Sequence, residues 1–325
     1  VNILVTGCAG FIGSHFLKYV FKNTDWKIFG LDSITYAGQL ENIGDEILEN
    51  YRFKFIYDSI QNVQIVDKLM SKCDYCVHFA GATDVNRSIE NADDFIDTNV
   101  GGTKNILDAL RKYNLKRLIY ISTSEVYGAV KIDPMTESHP LDPRSPYAAT
   151  KCSADRLCQS YITTFDVPIT IIRPFNNYGP NQHPEKLIPG VITSILQGKP
   201  GRIYGSGQAE RDWLFVKDNV RGIFEAMITD VAHQKIINLA TNESHSVNEV
   251  VDIIIQKIGG SVEHIDARPG EVSAHRGSYD LAKTMLDWSP KVNLESGIEQ
   301  TINWYNQNQD WWKSKRIQFG CKLVE

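Results

Sequence analysis

The chain has 325 residues, enough for one large α/β unit with a second, smaller lobe. Its hydrophobic content of 42% suits a globular core, and a net charge of -5 without a long basic run argues against nucleic-acid or membrane-surface binding. No apolar stretch approaches the length of a membrane span and no signal peptide is expected, so a cytoplasmic protein is expected.

Residues 2–6 form a short apolar run that predicts a strand. Gly7-Cys-Ala-Gly10-Phe11-Ile12-Gly13 follows at once, and a helix is expected from about Gly13 to Phe21. Gly7 permits a tight turn, Gly10 lets backbone approach a pyrophosphate, and Gly13 lets the helix sit close to the sheet. The helix N-terminus then offers unpaired N–H groups to phosphates. A second strand, Lys27 to Leu31, ends in Asp32. An acid there accepts both ribose hydroxyls of NAD and repels the extra phosphate of NADP; no arginine follows in Ser33-Ile-Thr35-Tyr, so NAD is favoured. Arg52 to Tyr57 predicts a third strand, with Asp58 placed to meet an adenine edge and Ser59 beside it. Residues 62–71 are expected to be helical, and Tyr75 to Ala80 is the next strand, tipped by small residues at Gly81-Ala-Thr83.

Asp94 to Tyr113 is expected to be one long amphipathic helix, and Leu115 to Ser122 contains a buried strand. Alternation of strand and helix predicts a doubly wound parallel sheet, a Rossmann arrangement. Ligands bind at the carboxyl ends of such strands, so Ser122, Thr123, Ser124 and Glu125 are expected to point into a site. Pro146 opens a helix on which Tyr147 and Lys151, four apart, share a face. A tyrosine near pKa ~10 is a poor base at neutral pH, but an ammonium about 6 Å away at an effective dielectric of ~20 is worth roughly 3 kcal/mol, or about two pKa units. Tyr147 could then take a proton from a sugar hydroxyl while hydride leaves for nicotinamide.

Val167 to Arg173 is a further strand. Beyond it Pro and Gly become frequent, which marks the start of a lobe covering the substrate. Arg211 and Arg268 stand in its loops, where guanidinium suits a diphosphate. The expected division is 1–172 with about 212–240 for the NAD-binding Rossmann domain, and 173–211 with 241–325 for a C-terminal nucleotide-sugar lobe. Six cysteines are scattered, and Cys73-x-x-Cys76 has no second pair at zinc spacing, so reduced thiols and no metal are expected.

These residues together resemble the extended short-chain dehydrogenase/reductase superfamily, and within it the nucleotide-sugar 4,6-dehydratases of the dTDP-glucose type. The likeness runs nearly end to end. It takes in the glycine triplet, Asp32-x-x-Thr35-Tyr-Ala-Gly38, Val85-Asn-Arg87-Ser88, Asn99-x-x-Gly102-Thr103, Thr123-x-Glu125-Val-Tyr-Gly128 and Tyr147-x-x-x-Lys151. It continues through Asn176-Asn177-Tyr-Gly-Pro180, Pro184-Glu185-Lys186-Leu187-Ile-Pro189, Arg211-Asp-Trp213 and Arg268-Pro-Gly270. The resemblance implies cofactor contacts along the glycine loop and at Asp32, Ser33, Thr35, Asp58, Ser59, Ala80, Gly81, Thr83, Asn99, Tyr147 and Lys151. It implies substrate contacts at Thr83, Arg87, Asn176, Asn177, Glu185, Lys186, Leu187, Tyr204, Arg211, Asn238 and Arg268. It also implies a homodimer through the helices at 94–113 and 147–165.

The implied reaction is redox-neutral. Tyr147 deprotonates the hydroxyl on carbon 4 of the hexose while NAD takes the hydride, with Thr123 steering that hydroxyl. Glu125 removes the proton on carbon 5, water departs from carbon 6, and hydride returns there. One departure stands out: dTDP-glucose enzymes carry Asp between Thr and Glu, as the acid for the leaving hydroxyl, and here it is Ser124. GDP-mannose 4,6-dehydratases resemble Thr-Ser-Glu and still dehydrate. UDP-glucuronate decarboxylases share Thr-Ser-Glu-Val-Tyr-Gly and are the rival; 4-epimerases usually lack the Glu. A second departure is Arg268-Pro-Gly-Glu-Val-Ser-Ala-His275-Arg276, where dTDP-type enzymes have a shorter Arg-Pro-Gly-His segment. A non-catalytic nucleotide-binding regulator on the same fold is the remaining alternative.

Overall fold

The computed structural model describes residues 1–267 and 272–318. In chain order the strands are β1 (Asn2–Thr6), β2 (Lys27–Asp32), β3 (Phe53–Tyr57), β4 (Tyr75–His78), β5 (Arg117–Ile121), β6 (Ile169–Pro174) and β7 (Asn176–Tyr178). They continue as β8 (Gly201–Tyr204), β9 (Glu210–Arg211), β10 (Trp213–Phe215), β11 (Ile236–Leu239), β12 (His245–Ser246), β13 (Val262–Ile265) and β14 (Ala274–His275). Seven of them form one parallel sheet in the order β11-β6-β5-β4-β1-β2-β3. The chain builds outward from β1 to β3, then returns to lay β4 on the other side of β1. The helix Phe11–Asn23 packs on one face and the helices Val63–Met70, Thr103–Lys112 and Pro146–Phe165 on the other, and in such sheets ligands bind in the crevice beyond the carboxyl ends of the strands.

Side chains alternate across the sheet as the pleat requires. Ile3 and Val5 join a core with Phe16, Leu17 and Val20 of the helix Phe11–Asn23 and Val220 and Ile223 of the helix Val216–Ile228. Leu4 faces the other way, into a core with Val66, Ile106, Leu107, Leu110 and Ala154. This is the doubly wound Rossmann sheet expected from the alternation of elements.

A third cluster lies apart from these two. It gathers Tyr178, Ile188, Val191, Ile203, Phe215, Val250, Ile254, Ile298 and Trp312. Around it stand the small sheets β10-β7, β12-β9-β14 and β13-β8. Among the described residues no helix is long and apolar enough to cross a membrane. Cys73 and Cys76 are buried free thiols, and Cys321 lies outside the described residues.

Two local expectations are corrected. The first helix begins at Phe11 rather than Gly13, because Gly10 is extended (φ -74°, ψ 176°) and serves as its N-cap. The expected single helix over 94–113 is interrupted by a π-helical segment, Ile96–Gly102, between Asp93–Phe95 and Thr103–Lys112. At its end a Cβ on Gly102 would lie 2.3 Å from Ile60 Cδ1, so a larger residue there would require Ile60 to move. The widened turn turns Asn99 inward.

Candidate active site

The crevice is lined first by the loop after β1. Gly7 has φ +68°, and its N–H donates to the Leu31 carbonyl at 2.8 Å. A Cβ on Gly13 would lie 2.1 Å from the Gly7 carbonyl oxygen, so the helix can pass this close only with glycine there. Gly10 provides no side-chain cap, which leaves the first N–H groups of a 13-residue helix open to an anion, with Phe11 and Ile12 at its first turn. Asp32 ends the neighbouring strand. Its Oδ2 accepts from the Ala9 N–H at 2.9 Å and its Oδ1 from the Ile34 N–H at 2.8 Å, so the acid is locked against the glycine loop. Burial raises its pKa, against the lowering by these amide bonds. Each oxygen retains a second lone pair for a ribose hydroxyl. The loop, the open helix end and the fixed acid suit a dinucleotide without a 2′-phosphate.

Other expected cofactor residues divide. Ala80 is held by its N–H to Thr6 Oγ1 at 3.2 Å, at the tip of β4. A Cβ on Gly81 would lie 2.9 Å from Asn99 Oδ1. Asn99 itself is spent inside the protein: Oδ1 accepts from the Ala82 N–H, and Nδ2 donates to the Ala82 carbonyl and to Thr150 Oγ1. It clamps the β4 tip to the Pro146–Phe165 helix rather than offering its amide to a ligand. Asp58 accepts from the Ser59 N–H and from Asn62 Nδ2. Ser33 is half-buried and Thr35 exposed on the loop after β2.

The chemistry-bearing residues meet at the end of β5. Thr123 is extended and caps a 3-10 turn, Ser124–Tyr127, its Oγ1 accepting from the Glu125 N–H at 3.2 Å. Ser145 caps the helix that carries Tyr147 and Lys151, and both lie on its buried side. The two elements bring the Thr123 hydroxyl close enough to Tyr147 to lower its pKa. Glu125, with 27% of its side chain exposed, stands close enough for its charge to act on Tyr147.

The expected sharpening of the phenol by Lys151 is corrected for the site as it stands. Burial raises the Tyr147 pKa; Thr123 lowers it and Glu125 raises it further. Lys151 donates to the Ile121 carbonyl at 2.6 Å and sits over the Tyr120 ring, and burial lowers its pKa to about 8. Burial acts on each group, and neither is among the causes that shift the other. Ser122, expected to face the site, is also corrected: it is buried and donates to Asp155 Oδ2 at 2.7 Å. Ser124 is buried within the turn.

A second group forms across the crevice. Tyr36 donates to Glu185 Oε1 at 3.2 Å and shares a side-chain hydrogen bond with Thr83, while the Arg87 guanidinium lies 3.8 Å over its ring. Lys186 is 3.1 Å from Glu185 and 3.9 Å from Asp84. Asn176 and Asn177, on β7, each bury an Oδ1 without a hydrogen-bond partner among the described residues. Buried orphan acceptors of this kind call for a donor from a ligand. Leu187 opens the helix Leu187–Ile195 and packs against the third cluster. Tyr204 ends β8 and Arg211 lies on β9, both half-buried. Asn238 is corrected: it is fully buried in β11, bonded to Glu137, Met135 and Tyr127, and its side chain is unavailable to a ligand. Arg268 lies outside the described residues.

Three side chains were not selected from the sequence. Tyr36 and Asp84 sit inside or beside quoted motifs, so motif membership was signal enough. His275, 3.8 Å from Glu125, is brought in by β14 from a segment whose length departs from the dTDP type, and nothing local marks it.

A glycine-looped parallel sheet with a Thr–Tyr–Lys group at its carboxyl edge defines the class of short-chain dehydrogenases/reductases. The sequence matches the family described as GDP-mannose 4,6 dehydratase over residues 4–301, and the chain belongs to that NAD-dependent nucleotide-sugar dehydratase and epimerase family. It is 38% identical to the Low-salt glycan biosynthesis protein Agl12 of Haloferax volcanii, over 94% of this chain and 98% of that one. A double mutant of DesIV, a dTDP-glucose 4,6-dehydratase from Streptomyces venezuelae solved with NAD bound, has a TM-score of 0.92 and 33% identity, covering 97% of this chain and 100% of its own. A UDP-glucuronic acid 4-epimerase from Bacillus cereus, solved with UDP-glucuronic acid and NAD, has a TM-score of 0.90 and 32% identity, covering 94% and 99%.

Proposed function

We propose that the chain is an NDP-hexose 4,6-dehydratase acting on dTDP- or UDP-glucose to give the 4-keto-6-deoxy sugar nucleotide. In this reading residues 1–172 with about 212–240 hold NAD, and 173–211 with 241–325 hold the nucleotide sugar. The glycine loop and Asp32 would hold the dinucleotide, and Lys151 and Tyr147 would flank its reactive end. Bound NAD supplies a hydride acceptor and donor. Tyr147 takes the proton of the hydroxyl on carbon 4, and the Thr123 hydroxyl orients that oxygen. Glu125 takes the proton on carbon 5 and passes it toward the hydroxyl leaving carbon 6. Asn176, Glu185, Lys186 and Arg211 bind the sugar and its diphosphate. A homodimer and a cytoplasmic location go with this reading.

The observation that carries it is Glu125, a half-buried carboxylate beside the Thr123–Tyr147 pair. Oxidation at carbon 4 alone needs no second base, whereas elimination does. The test is incubation with dTDP-glucose and UDP-glucose, read by the near-ultraviolet absorbance that keto sugars develop in alkali. No keto sugar from either, but carbon dioxide from UDP-glucuronate, would establish the decarboxylase instead.

A further inference from the structure

Position 124 lacks the acid that the dTDP type uses, and one buried side chain supplies what is missing. His275 is 0% exposed. Its Nε2 lies 2.7 Å from the Gly128 carbonyl oxygen, which can only accept, so this nitrogen carries a proton. Its Nδ1 is buried, has no hydrogen-bond partner among the described residues, and lies 3.8 Å from Glu125 Oε1. In the neutral ring a lone pair therefore faces a carboxylate oxygen. Two acceptors face each other, the nitrogen fully buried and the carboxylate 27% exposed, and a single proton between them would satisfy both. Separations of this size in a ligand-free site close with small side-chain movements.

We propose that His275 is the proton-sharing partner of Glu125: the two hold between them the proton that Glu125 takes from carbon 5, and His275 thereby does for the elimination what an aspartic acid at position 124 would do. The proposal rests on the dehydratase reading for its catalytic use. In the step, Glu125 accepts the proton from carbon 5 and the C–H pair becomes the bond between carbons 5 and 6. The bond from carbon 6 to oxygen breaks with its electrons on oxygen. The proton, retained between Glu125 and Nδ1, goes to that oxygen and water leaves; no oxidant or reductant is consumed. His275 acts through Glu125 and is a positioning residue.

The surroundings set the ring to give the proton back. Burial lowers the His275 pKa, Arg211 and His139 lower it, and Glu125 and the Gly128 carbonyl raise it. Arg211 is the register partner of His275 between β9 and β14. A depressed imidazolium returns its proton readily, which a reservoir for a leaving group requires.

Two measurements on the full chain decide the matter. NMR titration of the His275 ring, assigned with His275→Gln, needs no substrate. Glu125→Gln should lower its pKa by about one unit, because the facing carboxylate is gone; an unchanged titration overturns the pair. In the assay with nucleotide hexose, His275→Gln should lower kcat by about a hundredfold with little change in KM. Adding Ser124→Asp should restore most of that loss. A normal kcat in His275→Gln, or a loss that Ser124→Asp leaves untouched, overturns the catalytic role. A wild-type chain that makes no keto sugar refutes the dehydratase reading and with it the catalytic use, while the titration alone decides whether the pair exists.

Discussion

Arg173→Met removes a buried guanidinium that ties Asp155, Tyr127 and the Glu137 carbonyl together at the end of the sheet. Arg173 Nε and Nη2 reach the two oxygens of Asp155 at 2.9 and 2.8 Å, with side-chain exposures of 2% and 0%. The same carboxylate receives Ser122 Oγ, next to Thr123, and Gln159 Nε2. Burial alone would raise the Asp155 pKa; the bonds and charge of Arg173, with Ser122 and Gln159, carry it below the usual carboxylate value. Methionine keeps most of the volume and strands the carboxylate, at a cost of about 3–5 kcal/mol. Urea unfolding of both proteins, with m compared, measures this. The sign with pH follows. In the wild type the depressed Asp155 contributes stability that is lost as pH falls through its folded-state pKa. In the variant a stranded Asp155 is raised, so its penalty grows as pH rises through the new pKa and the two proteins converge in acid. Adding Asp155→Asn should recover part of the loss. A cost below about 1 kcal/mol, or a deficit that is flat with pH and unrelieved by Asp155→Asn, would refute the argument that an uncompensated buried charge is responsible.

Tyr147→Phe should abolish product formation while leaving unfolding within about 1 kcal/mol of wild type, checked by the alkali assay and urea titration. Glu125→Gln should stop water loss and the exchange of the carbon 5 hydrogen with deuterated solvent; normal exchange would remove Glu125 as the base. Because burial brings Lys151 down to about 8, its ammonium is lost as pH rises through that value, so kcat/KM should fall on the alkaline side from about pH 8. Gly13→Ala must push the helix from the Gly7 carbonyl that a Cβ would meet at 2.1 Å. The expected cost is about 1–3 kcal/mol of stability together with weakened NAD binding, measured by calorimetry.

Much of this protein was legible in one dimension because its signals are local. The run Asn2–Thr6 followed by three glycines, and the apolar strand ending at Ser122, are short-range patterns that parallel sheets require. Motif spacing likewise brought Thr123, Glu125, Tyr147 and Lys151 forward as one group. The π turn at Ile96–Gly102 escaped because the apolar positions around it continue in one helical stripe, and its packing of Gly102 on Ile60 is a contact between separate elements.

Periodicity and glycine spacing, which act over a few residues, settled by themselves that this chain winds a parallel sheet. Only the folded molecule decided which polar groups are free to act. Asn99, Ser122 and Asn238 read as ligand residues in the sequence, yet folding gives their side chains to protein partners. His275 read as an irregularity, yet the β9–β14 pairing sets its Nδ1, without a hydrogen-bond partner among the described residues, beside Glu125. Hydrogen-bond satisfaction and desolvation are properties of the whole packed interior, so no stretch of sequence carries them alone.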